Sequence, residues 1–193
     1  AYSRSGMPQS AKAPLGRKHM KTLYLIGGTM GVGKSTVTQR LRDALPAAVM
    51  LDGDWCWSAD PFIVTDETRT MVLDNICHVL SNFLRCSAYE NVAFCWVMHE
   101  QAIIDAIRAN LPLAETGCRV VNISLTCSEA ALRERLARDV SAGKRTDDVI
   151  ARSVARLPVY PTLDSTLIDT TALTPEEVAE RILSTSPLLE NGA

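Results

Sequence analysis

The sequence predicts an α/β protein in which a five-stranded parallel sheet is covered by helices on both faces. Two observations carry that expectation. From residue 21 onward, short apolar runs alternate with amphipathic helical patterns, the signature of strand–helix–strand crossovers. Between the first run and the first helical pattern lies Gly28-Thr29-Met30-Gly31-Val32-Gly33-Lys34-Ser35, with the spacing G-x-x-x-x-G-K-S. That motif has meaning only between a strand and a helix, and it stands there.

Each element follows in order. The first strand, 22–28, is an apolar run ending in glycines. Val37, Leu41 and Leu45 then mark one helical face, and Pro46 ends that helix. Residues 47–52 read as the second strand and 55–64 as a loop rich in aromatics. Thr65-Asp66-Glu67 starts a helix whose apolar face runs through Val72, Ile76, Leu80 and Phe83. Residues 91–98 are continuously apolar, as a strand buried on both faces must be. A helix over 100–111 stops at Pro112, and 119–127 is the fourth strand. Ser128 caps the next helix, and a basic turn containing Gly143 leads to another that runs through Leu157. The fifth strand is 165–171, and the capping box Thr174-Pro175-Glu176-Glu177 opens the last helix.

The chain of 193 residues suits one domain with a real core, expected over 21–193. Residues 1–20 are polar and rich in Pro, Gly and Ser, and His19-Met20 matches a cloning junction. That stretch is expected to be an expression tail, or alternatively a natural disordered arm. A net charge of −2 gives no general field for holding nucleic acid. No apolar run approaches the roughly 20 residues that span a bilayer, and residues 1–20 lack the apolar centre of a secretory signal. None of the six cysteines forms a C-x-x-C pair. They are expected to be reduced core thiols of a cytoplasmic protein, with a disulfide framework as the alternative.

The glycine loop has a physical logic. Gly28, Gly31 and Gly33 permit positive φ and a close backbone approach to phosphate oxygens. The amides around Met30 and Val32 form an anion nest at a helix N-terminus, and Thr36 follows inside the first turn. Lys34 reaches the outer phosphates, and the Ser35 hydroxyl suits Mg²⁺. Three activities share such a loop: phosphoryl transfer, a GTPase switch, and an ATP-driven mechanical or binding module. The guanine motif N-K-x-D and the sensor D-x-x-G are both absent from the sequence. The strand 91–98 runs into His99-Glu100, so Glu100 keeps the mechanical reading as an alternative.

Asp52 and Asp54 flank Gly53 where the second strand ends. Ligands of open α/β sheets collect at the carboxyl ends of strands, so both aspartates are expected to border the cleft beside the loop. Asp-Gly is also a common turn pair, which leaves two solvated turn formers as the alternative. Trp55, Trp57 and Phe62 lie just beyond, and in an extended chain the two indoles share a side. Such rings suit a flat acceptor, or simply fill core. His99 and Glu100 end the third strand on the same rim and are candidate acceptor contacts, with a helix start as the alternative. His78, inside a helix, reads as structural.

Gly-Gly-Thr-Met-Gly-Val-Gly-Lys-Ser-Thr followed one helix later by Leu51-Asp52-Gly53-Asp54 resembles the small P-loop kinases that phosphorylate metabolites. These include gluconate kinase, shikimate kinase, adenylylsulfate kinase and chloramphenicol phosphotransferase. The resemblance covers roughly residues 22–185 and extends to the last strand and helix. The expected strand order is 2-3-1-4-5. The resemblance implies Asp54 as the acceptor-binding general base and Asp52 as a holder of the Mg²⁺ water shell. It also implies a mobile lid of arginines after the fourth strand, drawn from Arg133, Arg135, Arg138, Lys144 and Arg145, with Gly143 as a hinge. The family's pair of arginines four apart is off by one here, since Asp139 stands four after Arg135. Arg138, Lys144 or Arg145 is therefore the candidate partner of Arg135, while ion pairs on a solvated helix are the alternative.

The loop at Thr171 borders the adenine in such folds, and the resemblance makes ATP the expected nucleotide. The expected activity is ATP- and Mg²⁺-dependent phosphorylation of a hydroxyl on a small molecule, aromatic or nucleoside-like. A nucleoside monophosphate kinase and a noncatalytic ATP-binding module are the alternatives. Segment 52–64 carries no basic residue for a phosphate acceptor. A small-molecule acceptor is the one expected partner, and the oligomeric state is left open.

Overall fold

Five parallel strands form the frame of the computed structural model, which describes residues 20–185. They are β1 (Thr22–Gly28), β2 (Ala48–Asp52), β3 (Asn91–Cys95), β4 (Arg119–Thr126) and β5 (Thr166–Asp169). The order across the sheet is β2-β3-β1-β4-β5, as expected. The helices in chain order are α1 (Lys34–Ala44), α2 (Asp66–Arg85), α3 (Gln101–Ala109), α4 (Leu113–Thr116), α5 (Glu129–Ser141), α6 (Asp148–Arg156) and α7 (Pro175–Thr185). The expected N-terminal tail lies outside the described residues, Met20 excepted.

The sheet separates two cores because successive side chains of a strand point to opposite faces. Tyr24 and Ile26 of β1 join Val37 and Leu41 of α1, Leu132 and Leu136 of α5, and Val178 and Ile182 of α7. Leu23 and Leu25 face the other way, onto Val72, Ile76 and Leu80 of α2 and Ile104 and Ile107 of α3. Burial on both faces is why β1 and β3 read as unbroken apolar runs. Cys77, Cys95 and Cys127 are buried core residues, as the apolar context of the cysteines suggested. No helix among the described residues is long and apolar enough to cross a membrane.

The caps fall where the sequence placed them. Ser128 Oγ accepts from Ala131 N at 3.2 Å. Thr174 N donates to Glu177 Oε2 at 2.7 Å while Glu177 N donates to Thr174 Oγ1 at 3.2 Å, closing the capping box. Two expected elements end differently, and a short helix is added. The strand over 91–98 leaves the ladder after Cys95, and Met98 adopts φ 35° just before His99. Such a backbone is uncommon for a residue with a Cβ and here redirects the chain at the edge of the cleft. The helix expected through Leu157 ends at Arg156 and tightens into a 3-10 turn over Leu157–Thr162. The four residues of α4 are too few to show a helical period.

Candidate active site

The cleft forms where β1, β2 and β3 end. β1 delivers the glycine loop, and Gly28, Gly31 and Gly33 take φ of 150°, 81° and 102°. Space matters at Gly31 as well: a Cβ there would stand 2.7 Å from Cδ2 of Leu136 on α5. Gly33 then starts α1 in the left-handed region, so the first amides of the helix turn toward the loop's interior. Lys34 Nζ donates to the Thr29 carbonyl at 3.0 Å, folding its ammonium back over the loop. Burial pushes its pKa below the ordinary lysine value, against the pull of Cys95, Asp54 and Asp52. Met30 lines the cavity beside the loop, Val32 is buried under it, and Thr36 is exposed in the first turn of α1.

β2 delivers the carboxylates. Ser35 Oγ donates to Asp52 Oδ2 at 2.5 Å, and Asp52 Oδ1 accepts from Asp54 N at 3.1 Å. One buried carboxylate thus joins the start of α1 to the turn that carries Asp54. Both groups beside Lys34 offer only oxygen, the ligand chemistry that Mg²⁺ requires, and the amide cradle offers donors to phosphate. The residues present therefore fit a magnesium–nucleotide complex. Beneath them, burial and the Asp52 charge push the Cys95 thiol up to about 12, which keeps it protonated.

Asp54 faces the same space. Desolvation raises its pKa above the ordinary carboxylate value, and the Asp52 charge adds to the rise. Lys34, Arg145 and a hydrogen bond from the Trp96 side chain oppose it. The Lys34 ammonium and the Asp54 carboxylate attract each other. An open cavity of about 690 Å³ continues from them, lined by Asp54, Trp57, Phe62, Trp96, His99 and Glu100 among others.

The two indoles of Trp55-Cys56-Trp57 do not share a side. A 3-10 turn over Gly53–Cys56 breaks the extended backbone that such sharing requires. Trp57 lines the cavity with its ring centroid 4.4 Å from that of Phe62. Trp55 is 64 % exposed and is not part of the lining. Trp96 takes the place left to it. A Cβ on Gly53 would lie 2.6 Å from Cγ and Cδ1 of Trp96, so the ring rests directly on the Gly53 backbone. Gly53→Ala is accordingly expected to cost about 1–3 kcal/mol through overpacking, measurable as a lower midpoint in chemical denaturation.

His99 Nε2 lies 3.2 Å from Glu100 Oε1, and its buried Nδ1 has no hydrogen-bond partner among the described residues. Burial lowers the His99 pKa, and Arg156 lowers it further, so the imidazole is neutral at ordinary pH. His78 belongs to a separate groove along α2. Glu100 is exposed and engaged with His99.

The segment expected to form the lid comprises α5, the turn at Gly143 and α6. Arg135 reaches the loop after β5, donating to Thr170 Oγ1 at 3.1 Å and to the Thr170 carbonyl at 2.8 Å. Thr171 of that loop accepts from Ser128 N through its hydroxyl at 2.8 Å. Arg138 points to solvent beside Glu134 at 3.7 Å, with 70 % of its side chain exposed. Arg145 lies 3.3 Å from Asp139, and its charge reaches both Lys34 and Asp54. Three further arginines line the cavity: Arg69 from α2, and Arg152 and Arg156 from α6. Sequence reasoning confined to segment 52–64 missed them, together with Trp96.

The glycine loop between β1 and α1, with strand order 2-3-1-4-5, defines a P-loop nucleotide-binding fold. A family described as AAA domain matches residues 25–154, and the chain belongs to that family. No curated protein matches the sequence significantly. Among solved structures, the chain is similar to the tunicamycin resistance protein of Deinococcus radiodurans. The two share 22 % identity and a TM-score of 0.62, over 86 % of this chain and 95 % of the other. It is similar to a gluconokinase from Sinorhizobium meliloti 1021 at 19 % identity and a TM-score of 0.60, over 87 % and 92 %. It is also similar to the APS kinase of Mycobacterium tuberculosis in complex with AMPPNP and APS, at 17 % identity and a TM-score of 0.58, over 86 % and 96 %. The likeness in fold agrees with the resemblance carried by the glycine loop and Asp52-Gly53-Asp54.

Proposed function

We propose that the protein is an ATP-dependent phosphotransferase acting on a hydroxyl group of a small, flat molecule. One observation carries the reading: Asp52 links Ser35 of the loop to the turn of Asp54, so a carboxylate stands beside the phosphate-binding lysine at the mouth of an acceptor-sized cavity. A mechanical ATPase has no need of such a cavity, and its candidate acid, Glu100, is held by His99. Similar folds are seen in proteins described as a gluconokinase and an APS kinase, which adds support. The buried thiols suit a reducing compartment, and we place the enzyme in the cytoplasm.

In this reading the loop amides and Lys34 hold the triphosphate. Ser35, with Asp52 behind it, holds Mg²⁺, which when bound screens the phosphate charge. Asp54 accepts the proton of the acceptor hydroxyl as the acceptor oxygen bonds to the γ-phosphorus. The bond from that phosphorus to the bridging oxygen breaks, releasing ADP and leaving a phosphomonoester. The proton on Asp54 passes to solvent. Arg145 stabilises charge on the transferred group.

The test is a screen of sugars, nucleosides and aryl alcohols for acceptor-dependent ADP release, with the new phosphomonoester identified by phosphorus NMR. ATP binding with a flat response to every acceptor would leave only a nucleotide-binding module. With a working acceptor, kcat/KM should fall on the acid side at a pH above 3.8, the ordinary aspartate value, because Asp54 titrates high. Trp96→Phe removes the hydrogen bond that favours the carboxylate and should move that acid limb further up.

A further inference from the structure

The second residue of the glycine loop reaches a helix far along the chain. Thr29 Oγ1 donates to the Ser153 carbonyl of α6 at 3.0 Å, and both residues are fully buried. That carbonyl lacks its helical partner. In a regular helix the Leu157 N–H would serve it, but that N–H turns to Val154 O as α6 tightens, and Pro158 brings no N–H. Thr29 thus caps the end of α6. The turn after α6 makes a second tie. Tyr160 donates its hydroxyl to the Val97 carbonyl at 2.9 Å, and the same carbonyl accepts from Gly28 N at 3.4 Å. One group at this junction is idle. Ser153 Oγ is buried and has no hydrogen-bond partner among the described residues. A buried hydroxyl without a partner costs stability, so its presence calls for a reason.

We infer that Ser153 is a nucleotide-dependent latch: once the loop holds a triphosphate, the Ser153 hydroxyl replaces the Lys34 ammonium as donor to the Thr29 carbonyl. Lys34 Nζ donates to that carbonyl at 3.0 Å. Charged phosphate oxygens attract an ammonium more strongly than a neutral carbonyl does, so a triphosphate draws Lys34 away. The Thr29 carbonyl then keeps only the 3.5 Å bond from Val32 N. Ser153 already touches Thr29 and carries the unused donor. The exchange satisfies both groups and exists only with nucleotide bound, which is the differential contact a ligand needs to shift a structure. It draws α6 onto the loop, and α6 supplies Arg152 and Arg156 to the wall of the acceptor cavity. That wall is therefore completed after the triphosphate is seated, and the two sites are coupled in both directions. The inference rests on the reading that the glycine loop takes the phosphates of ATP, and it makes no use of the acceptor's identity.

The test compares the full chain with Ser153→Ala and Thr29→Val, using magnesium and AMPPNP as the probe. Without nucleotide, Ser153→Ala should melt no lower than the wild type, because only an idle hydroxyl is lost. In calorimetric titration it should nevertheless bind AMPPNP about three- to tenfold more weakly, the weight of one hydrogen bond made only in the complex. A purely structural serine would not separate the two measurements in this way. Thr29→Val should lower both the midpoint and the affinity, since its hydroxyl bond stands with and without nucleotide. Hydrogen exchange gives the third reading: AMPPNP should slow the amides of residues 153–157 in the wild type and much less in Ser153→Ala. Unchanged affinity in Ser153→Ala, or a midpoint lowered in step with affinity, overturns the latch and leaves the nucleotide reading intact. A Thr29→Val protein that melts like the wild type overturns it too, as does equal protection of 153–157 in both proteins. Failure of AMPPNP to bind the wild type overturns the latch and the nucleotide reading together.

Discussion

Asp54→Asn is expected to lower kcat by about 10²–10⁴-fold while leaving ATP affinity within a factor of about two, the range ascribed to a positioned general base. The amide keeps the shape and the turn of Asp54, whose backbone N–H still donates to Asp52 Oδ1. What it removes is the capacity to take the acceptor's proton. The same change should raise the thermal midpoint of the protein without nucleotide or metal at pH 7. The folded pKa of Asp54 lies above its unfolded value. Its contribution to stability is therefore fully present below 3.8 and is lost as pH rises through the folded pKa. At pH 7 the ionised group counts against the fold, and asparagine relieves it. Differential scanning calorimetry at pH 7 and below pH 4 checks the sign: the gain should vanish in acid. A variant that keeps full turnover removes Asp54 from the chemistry.

Lys34→Met is expected to lower kcat/KM for the nucleotide by about 10²–10³-fold, the scale of losing one preorganised donor to developing charge. Methionine keeps most of the stem that packs in the loop and deletes the ammonium. Stability should move the other way. Burial depresses the folded pKa of Lys34, so its favourable contribution exists above 10.5 and is lost as pH falls through the folded value. Near neutral pH the desolvated ammonium opposes folding, with only the Thr29 carbonyl and the electrostatic pull of Asp54 and Asp52 in compensation. The nucleotide-free variant should therefore melt no lower than the wild type, while losing the upward shift that AMPPNP gives. A pair of melting curves with and without AMPPNP reads both effects.

What could be read from the sequence was whatever depends on neighbours in the chain. The glycine loop works through consecutive backbone groups, so its spacing was sufficient. The strand order came with the family resemblance, whereas the position of Asp52 and Asp54 followed from the rule that ligands collect at the carboxyl ends of parallel strands. The same rule marked the end of β3, and Trp96 follows it directly, so the signal for that ring was present and unused. Trp55 and Trp57 parted because a 3-10 turn replaced the extended backbone on which their pairing depended. Arg69, Arg152 and Arg156 were hidden for another reason. They meet only because α2 and α6 close on one cavity from distant parts of the chain. Among the basic residues after β4, spacing left Arg138, Lys144 and Arg145 open as partners of Arg135, because the side-chain directions that separate Arg138 beside Glu134 from Arg145 beside Asp139 depend on the turn at Gly143.

The sheet also keeps two apolar interiors apart. Val32, beneath the glycine loop, is bedded with α1, α5 and α7, whereas Trp57 and Trp96 rest on the interior shared by α2 and α3. On the reading proposed here, repacking beneath α2 alters which molecule is taken up, and the donor's seat stays on its own foundation. Selection can then exchange one acceptor for another by drift on a single side, with the handling of the triphosphate inherited unchanged.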